Sequence, residues 1–256
     1  MTSKLVKYSD WGSVYFKENA KLLKLPTPVP AQRKYWEFIE ILELLKSAGE
    51  RGIGFGVGEE PMTSALAAMG KKVLATDIGA NHSSSKDWDN GQLAKSKESL
   101  YKPEIVDRDT FDKNVRFMEL DMNNLSPIGD ELFDLSFSCG SCEHIGGIHK
   151  TIEFLINQMK LLKPGGIAVH TTEYNLDSND DTVNAHNICL LRKQDIDTLK
   201  QRIEAQGDLF YDVDYSTGDE PEDLHIDEPP HKFHQHLKLR NLGFVHTSIL
   251  LVMQKK

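Results

Sequence analysis

Residues Arg51–Gly79, RGIGFGVGEEPMTSALAAMGKKVLATDIG, decide how this chain is read. The pattern predicts strand, glycine turn, helix and strand. Ile53 and Phe55 close a short apolar strand. Gly54, Gly56 and Gly58 alternate, which permits a sharp turn and close approach of a ligand to the backbone. Pro61 suits the first turn of a helix, where its missing N–H costs nothing. Met62, Leu66 and Met69 then recur at helical spacing. Gly70 ends the helix, and Lys71-Lys72 suit its negative C-terminal end. Val73–Thr76 forms the next strand, with Asp77 at its end. An acid about 20 residues beyond such a turn is placed to accept hydrogen bonds from two ribose hydroxyls. A dinucleotide turn, G-x-G-x-x-G from Gly54, would need glycine at position 59, where Glu59 stands. A carboxylate there repels a pyrophosphate. The turn therefore suits a nucleoside ligand without phosphates and disfavours a nicotinamide dehydrogenase.

The 256 residues fit a single domain, 1–256, with a sizeable core. Hydrophobic content is 39%, charged content 27% and formal net charge −9, with no dense basic run. This balance argues against a nucleic-acid partner and for a neutral or cationic small molecule, or a carbohydrate. No apolar run approaches the ~20 residues that span a bilayer. MTSKLVKYSD lacks the apolar region of a signal peptide. With 3 cysteines, which cannot all pair within the chain, a reducing cytoplasmic compartment is expected.

Residues 1–34 read as an N-terminal arm or lid, whose Tyr8, Trp11, Tyr15 and Phe16 either cover a cofactor or dock the arm. Tyr35–Ala48 is a helix, mostly buried, with Glu37, Glu40 and Glu43 as its polar stripe. Residues 80–112 read as a long loop with a helical piece near 91–101. Its polar stretch includes Asn81–Ser85, Trp88 and Asn90-Gly91. Strands follow at Val115–Leu120 and Leu132–Ser138. A helix runs over Ile148–Leu162, Lys163–Gly166 is a turn, and Ile167–Thr172 is a strand. Strands alternating with helices predict a mostly parallel α/β sheet with helices on both faces. Beyond a polar stretch at 173–189 come a helix at Asp195–Ala205, a strand at Leu209–Val213, a loop at 216–236 and a closing strand at Val245–Met253. The closing strands predict an antiparallel C-terminal edge.

The order of these features resembles the Rossmann-like class I S-adenosylmethionine-dependent methyltransferases over residues 36–172. GFGVG at 54–58 is similar to their motif I, and Asp77 with Ile78 to the segment holding the ribose. Asp121-Met122 resembles the pair that contacts adenine. FDLSFSCGSCEHI at 133–145 resembles motif IV and the segment after it, and LKPGG at 162–166 the turn before the next strand. Many members carry an acid two residues before the first glycine, and here that residue is Gly52. The resemblance implies S-adenosylmethionine as cofactor, bound by Gly54, Phe55, Gly56, Gly58, Glu59, Asp77, Ile78, Asp121, Met122 and Cys139. GFGVGEEP, EHI, HTTEYNLDSNDDT and HIDEPP together are similar to a subgroup associated with glycan assembly. That implies a small-molecule or glycan acceptor, methylated on a hydroxyl, with residues 173–256 carrying substrate loops. N- or C-methylation, or cofactor binding without catalysis, stays open on the same scaffold.

A hydroxyl loses a proton as it attacks, which invites a general base or a metal ion. His144, beside Glu143, and Glu173, closing its strand, are candidates, as is His225 with Asp227 as orienter. His170 reads as a core residue. The loop at 225–236 also carries His231, His234 and His236. Imidazole and carboxylate at this density admit a divalent metal such as Mg²⁺ or Mn²⁺, although the spacing matches no zinc signature. Cys139-x-x-Cys142 lacks a second pair, so it reads as pocket lining rather than a redox or zinc site.

Overall fold

The computed structural model describes residues 1–79, 92–232 and 234–256. The N-terminal arm contains β1 (Ser3–Leu5), α1 (Val14–Leu22) and β2 (Ala31–Gln32), and runs directly into α2 (Arg33–Leu45). The core follows as β3 (Arg51–Phe55), α3 (Met62–Ala68), β4 (Lys72–Asp77), α4 (Arg108–Asn114), β5 (Val115–Glu119), β6 (Phe133–Cys139), α5 (Ile148–Asn157) and β7 (Leu162–Asn175). The C-terminal part holds α6 (Lys193–Ala205), β8 (Leu209–Phe210), β9 (Val213–Asp214), α7 (Pro221–Leu224), β10 (Ile226–Asp227), β11 (Gln235–His236), β12 (Lys238–Asn241) and β13 (Phe244–Gln254).

The main sheet runs β5-β4-β3-β6-β7-β13-β12-β10. β5 through β7 are parallel, and β13 lies antiparallel between β7 and β12. This is the mostly parallel, Rossmann-like architecture with an antiparallel C-terminal edge that the sequence predicts. From β3 the chain moves outward to β4 and β5, then returns to β6 on the other side. Ligands bind beyond the carboxyl ends of strands at such a reversal. Alternation puts Val73 and Ala75 against α1–α4 on one face, and Leu74 against α5 and α6 on the other.

Several predicted elements change. The outer flank of β13 is covered piecewise: Lys238 pairs with Thr247, Lys4 with Leu250 and Phe210 with Met253. Short pieces leave little open edge, and a three-residue strand such as β1 has too little periodicity to read. The arm's aromatics dock it: Tyr8 stacks on Trp11, Trp11 on Phe16, and the Trp36 indole N–H donates to Asp10. None of them lines the cavity described below. Lys163–Gly166 is not a turn but part of β7, with Gly165 at φ +85° and a register shift opposite Phe133–Leu135. Lys71 does not serve its own helix; its buried Nζ donates to the carbonyls of Ala48 and Gly49 after α2. Within the predicted loop at 80–112, α4 is a helix, capped by the Asp107 side chain on the Thr110 N–H. The described part of the helical piece near 91–101 is a short 3₁₀ turn at Lys97–Leu100. The polar stretch at Asn81–Ser85, Trp88 and Asn90-Gly91 lies outside the described residues.

Candidate active site

A cavity of about 700 Å³ opens beyond the ends of β3, β4, β5 and β6. That volume is in the range for a small-molecule ligand. Its wall includes Gly56, Gly58, Glu59, Asp77, Ile78, Asp121, Met122, Cys139 and His144 from the predicted set. Lys34, Glu60, Ser141 and Lys150 join them. Carboxylates outnumber ammonium groups on this wall, which favours a cationic guest over an anionic one.

The glycine turn is built by steric necessity. Gly56 and Gly58 have φ of +54° and +52°, where other residues are strained. A Cβ on Gly56 would lie 2.8 Å from the Ser141 side chain, and one on Gly58 2.6 Å from the Gln92 carbonyl oxygen. Gly54 has a different reason. A Cβ there would meet Phe137 at 2.6 Å and Val57 at 2.7 Å, so this glycine serves packing and is not on the wall. Phe55 is not on the wall either. Its buried ring meets Phe154 edge-on, while its carbonyl accepts from the Ser141 hydroxyl.

Asp77 accepts from the backbone N–H groups of Gly58 (2.9 Å), Ala94 (3.0 Å) and Ile78 (2.8 Å). It thereby ties the glycine turn to the end of β4. Burial raises its carboxyl, and these amides oppose the rise. A carboxylate has about four acceptor positions, so room for a further donor remains. Asp121 accepts from the backbone and side-chain amides of Asn123 at 2.8 and 3.1 Å.

His144 Nδ1 lies 2.7 Å from the Asn187 carbonyl oxygen. A carbonyl only accepts, so Nδ1 carries the proton and Nε2 the lone pair. Burial lowers the imidazole below its ordinary value, against the opposing pull of that carbonyl. His144 is therefore a neutral imidazole on the cavity wall. Buried Glu143 lies 3.8 Å from it, its carboxyl raised by burial and by the charge of Glu173.

Glu173 is buried and absent from the wall. It pairs with Arg33, and its Oε2 lies 2.6 Å from His246 Nδ1. Although burial opposes ionisation, Arg33 and His246 hold its carboxyl well below the ordinary range. Such a carboxylate is a poor proton acceptor, which corrects its reading as a base. Arg33 also donates to the Ser248 hydroxyl at 3.1 Å and lies 4.0 Å from Glu37. Glu37 accepts from Ser248, Thr171 and the Cys139 thiol. Lys34 reaches Glu60 at 2.7 Å and Glu37 at 3.5 Å. Burial raises Glu60 to about 7 despite that cation.

Sequence reasoning missed this network of Arg33, Lys34, Glu37, Glu60 and Glu143. Its signal was present: Arg33 and Lys34 precede Glu37 by four and three residues, a helical pairing distance. Within the predicted polar stripe of α2, Glu37 and Glu40 are buried and partnered rather than in water. Burial also pushes the Cys139 and Cys142 thiols up, as it does Cys189, and all three are free. That chemistry is inert rather than redox-active.

His225 is exposed at the end of α7 and absent from the wall. The structure pairs Asp227 with His236 at 2.6 Å, not with His225. The predicted base-and-orienter pair is therefore not assembled.

Comparison with known proteins agrees with this geometry. Residues 53–170 match the family described as "Methyltransferase domain". No curated protein matches. An O-methyltransferase family protein from Burkholderia thailandensis is 12% identical over 88% of this chain, with a TM-score of 0.50. This chain spans 59% of that protein's length. The N-terminal domain of EvdMO1, solved in the presence of SAH and D-fucose, is 14% identical over 88% of this chain and 84% of its own, at 0.50. A 1,6-didemethyltoxoflavin-N1-methyltransferase, also from B. thailandensis, is 14% identical over 97% of this chain and 86% of its own, at 0.50. Identities this low establish the shared fold. With the matched segment, they make this chain similar in fold and in its core to class I S-adenosylmethionine-dependent methyltransferases. Among the described residues, no helix is long and apolar enough to cross a membrane.

Proposed function

We propose that this enzyme transfers a methyl group to a hydroxyl of a sugar or glycan, with His144 as general base. The observation that carries the reading is the His144 imidazole on the cavity wall, its Nδ1–H engaged by Asn187 and its protonation disfavoured by burial. In this reading Gly56, Gly58 and Glu59 hold the methionine portion of the cofactor, and Asp77 with Ile78 its ribose. Asp121 and Met122 hold the adenine, and Cys139 closes the pocket. S-adenosylmethionine supplies a methyl that is already activated. The protein's task is to align the acceptor and remove its proton. A glycine turn without side chains leaves room for the guest, and the acidic wall suits its cationic sulfonium.

The sugar assignment draws support from the polar segments flanking the site and from the D-fucose used with EvdMO1. The N1-methyltransferase of B. thailandensis supports a nitrogen acceptor as the rival.

Calorimetric titration with S-adenosylhomocysteine tests the cofactor half. Stoichiometric binding is expected, and Asp77→Ala should weaken it by about 1–3 kcal/mol as a hydrogen-bonded carboxylate is lost. Unchanged affinity in that variant would remove Asp77 from the ribose site. A panel of free and nucleotide-linked sugars, run beside a panel of amines, tests the acceptor. Methylation confined to amines would overturn the hydroxyl reading.

A further inference from the structure

The loop beyond α7 assembles a cluster that the proposed transfer step does not use. Asp227, His231 and His236 each offer one ligand atom, and these atoms all lie within 4.8 Å of one another. Asp227 Oδ2 and His236 Nδ1 are 2.6 Å apart, and the rings of His231 and His236 meet edge to face at 5.7 Å. Asp227 and His236 are buried and His231 is half-buried. From the geometry of this cluster we infer a site for one divalent transition cation, held by two imidazoles and one carboxylate.

Both buried ligands are positioned by backbone pairing. Asp227 closes β10, opposite Leu239 of β12. His236 closes β11, opposite Gln32 of β2. His231 follows Pro229-Pro230, whose rings limit the backbone freedom of the connecting loop. A site assembled this way loses little entropy on binding an ion. The hydrogen bond between Asp227 and His236 marks where the ion goes. A cation replaces the shared proton and opens the 2.6 Å gap to about 3.0–3.4 Å, the ligand–ligand edge of an octahedral or tetrahedral ion with bonds of about 2.1 Å. Asp227 Oδ1 keeps its bond from the Lys232 N–H at 3.1 Å and fixes the carboxylate from behind.

The donor set selects the ion. Two imidazoles suit Mn²⁺, Fe²⁺, Co²⁺ or Zn²⁺, whereas Mg²⁺ prefers an all-oxygen shell. Three protein ligands leave at least one position for water or a hydroxyl oxygen. The position beside the cavity network is set by the chain itself. Gln32, which pairs with His236, is followed by Arg33, and Arg33 holds Glu173. An ion here would draw an oxygen ligand toward the side of the sheet where β7 ends and β13 begins.

The test is calorimetric titration of the chelator-treated full chain with MnCl₂, ZnCl₂ and MgCl₂, without cofactor or acceptor. Stoichiometric binding of Mn²⁺ and Zn²⁺ is expected, with Mg²⁺ at least tenfold weaker. His231→Ala, at a half-buried position, should weaken Mn²⁺ at least tenfold, and Asp227→Asn should do the same while keeping the side-chain volume. Circular dichroism checks that both variants fold. Absence of binding, or affinity unchanged in both folded variants, would overturn the site. Because S-adenosylhomocysteine binding is measured separately, failure here leaves the methyltransferase reading untouched.

Discussion

His144→Ala is expected to lower kcat by about 10²- to 10⁴-fold, the span typical of a lost general base, while leaving S-adenosylhomocysteine affinity nearly unchanged. Which nitrogen holds the proton decides the role. Nδ1 faces the Asn187 carbonyl at 2.7 Å and must donate, so Nε2 is the acceptor. In the proposed reaction bound S-adenosylmethionine would supply the methyl, and Nε2 would take the proton that the acceptor hydroxyl releases. Only the neutral imidazole can take it. Burial has already lowered His144 below the ordinary 6.5, so the base is competent at neutral pH. The wild-type rate should rise with pH through a midpoint below 6.5 and then stay level. The variant should lose that limb. His144→Gln separates the roles, since an amide can hydrogen-bond to the acceptor but cannot carry its proton away. If the alanine variant retains more than a tenth of wild-type kcat and the same pH profile, His144 is not the base.

The legible and illegible parts of this protein divide along local and long-range chemistry. The glycine turn, Asp77 and the segment around Cys139 could be read because their signals are short. Two positive-φ glycines and an acid at the end of the next strand need only about 25 residues of context. His144 was visible for the same reason, lying just past the end of β6. The Arg33–Glu173 pair joins residues 140 apart, and His246–Glu173 joins residues 73 apart. No periodicity announces such contacts. Glu37 and Glu40 read only as a polar stripe because a helix pattern reports polarity, not whether a polar residue meets water or a partner. Asp227 illustrates the same limit. The density of histidines around it was plain, yet the pairing of β10 with β12 and of β11 with β2 decides that His236 meets Asp227, and the loop between them brings in His231 and not His225.

Arg33→Ala is expected to destabilise the fold by about 3–5 kcal/mol, the cost of stranding a buried charge by removing its partner. Arg33 sits between Glu173 and Glu37, and both carboxylates are buried. Without the guanidinium, Glu173 retains His246, and Glu37 retains Ser248, Thr171 and Lys34. Urea denaturation at pH 7 should show the midpoint falling with an unchanged slope, as expected for a change in stability rather than in the surface exposed on unfolding. The pH dependence supplies an independent check. Glu173 is held below its ordinary 4.5 in the folded protein, so its pairing contributes stability above that value. That contribution fades as pH falls through the lowered value. The deficit of the variant should therefore be largest near neutrality and shrink below about pH 4, where protonated carboxyls no longer need a cation. Arg33→Lys should restore only part of the loss: Nη1 alone donates to both Glu173 and Ser248, and the shorter lysine stem sets its ammonium at a different reach. A loss below 1 kcal/mol at pH 7 would mean that water screens this pair as it does a surface ion pair. Arg33 would then owe its place to positioning the start of α2 beside the cavity rather than to holding the sheet together.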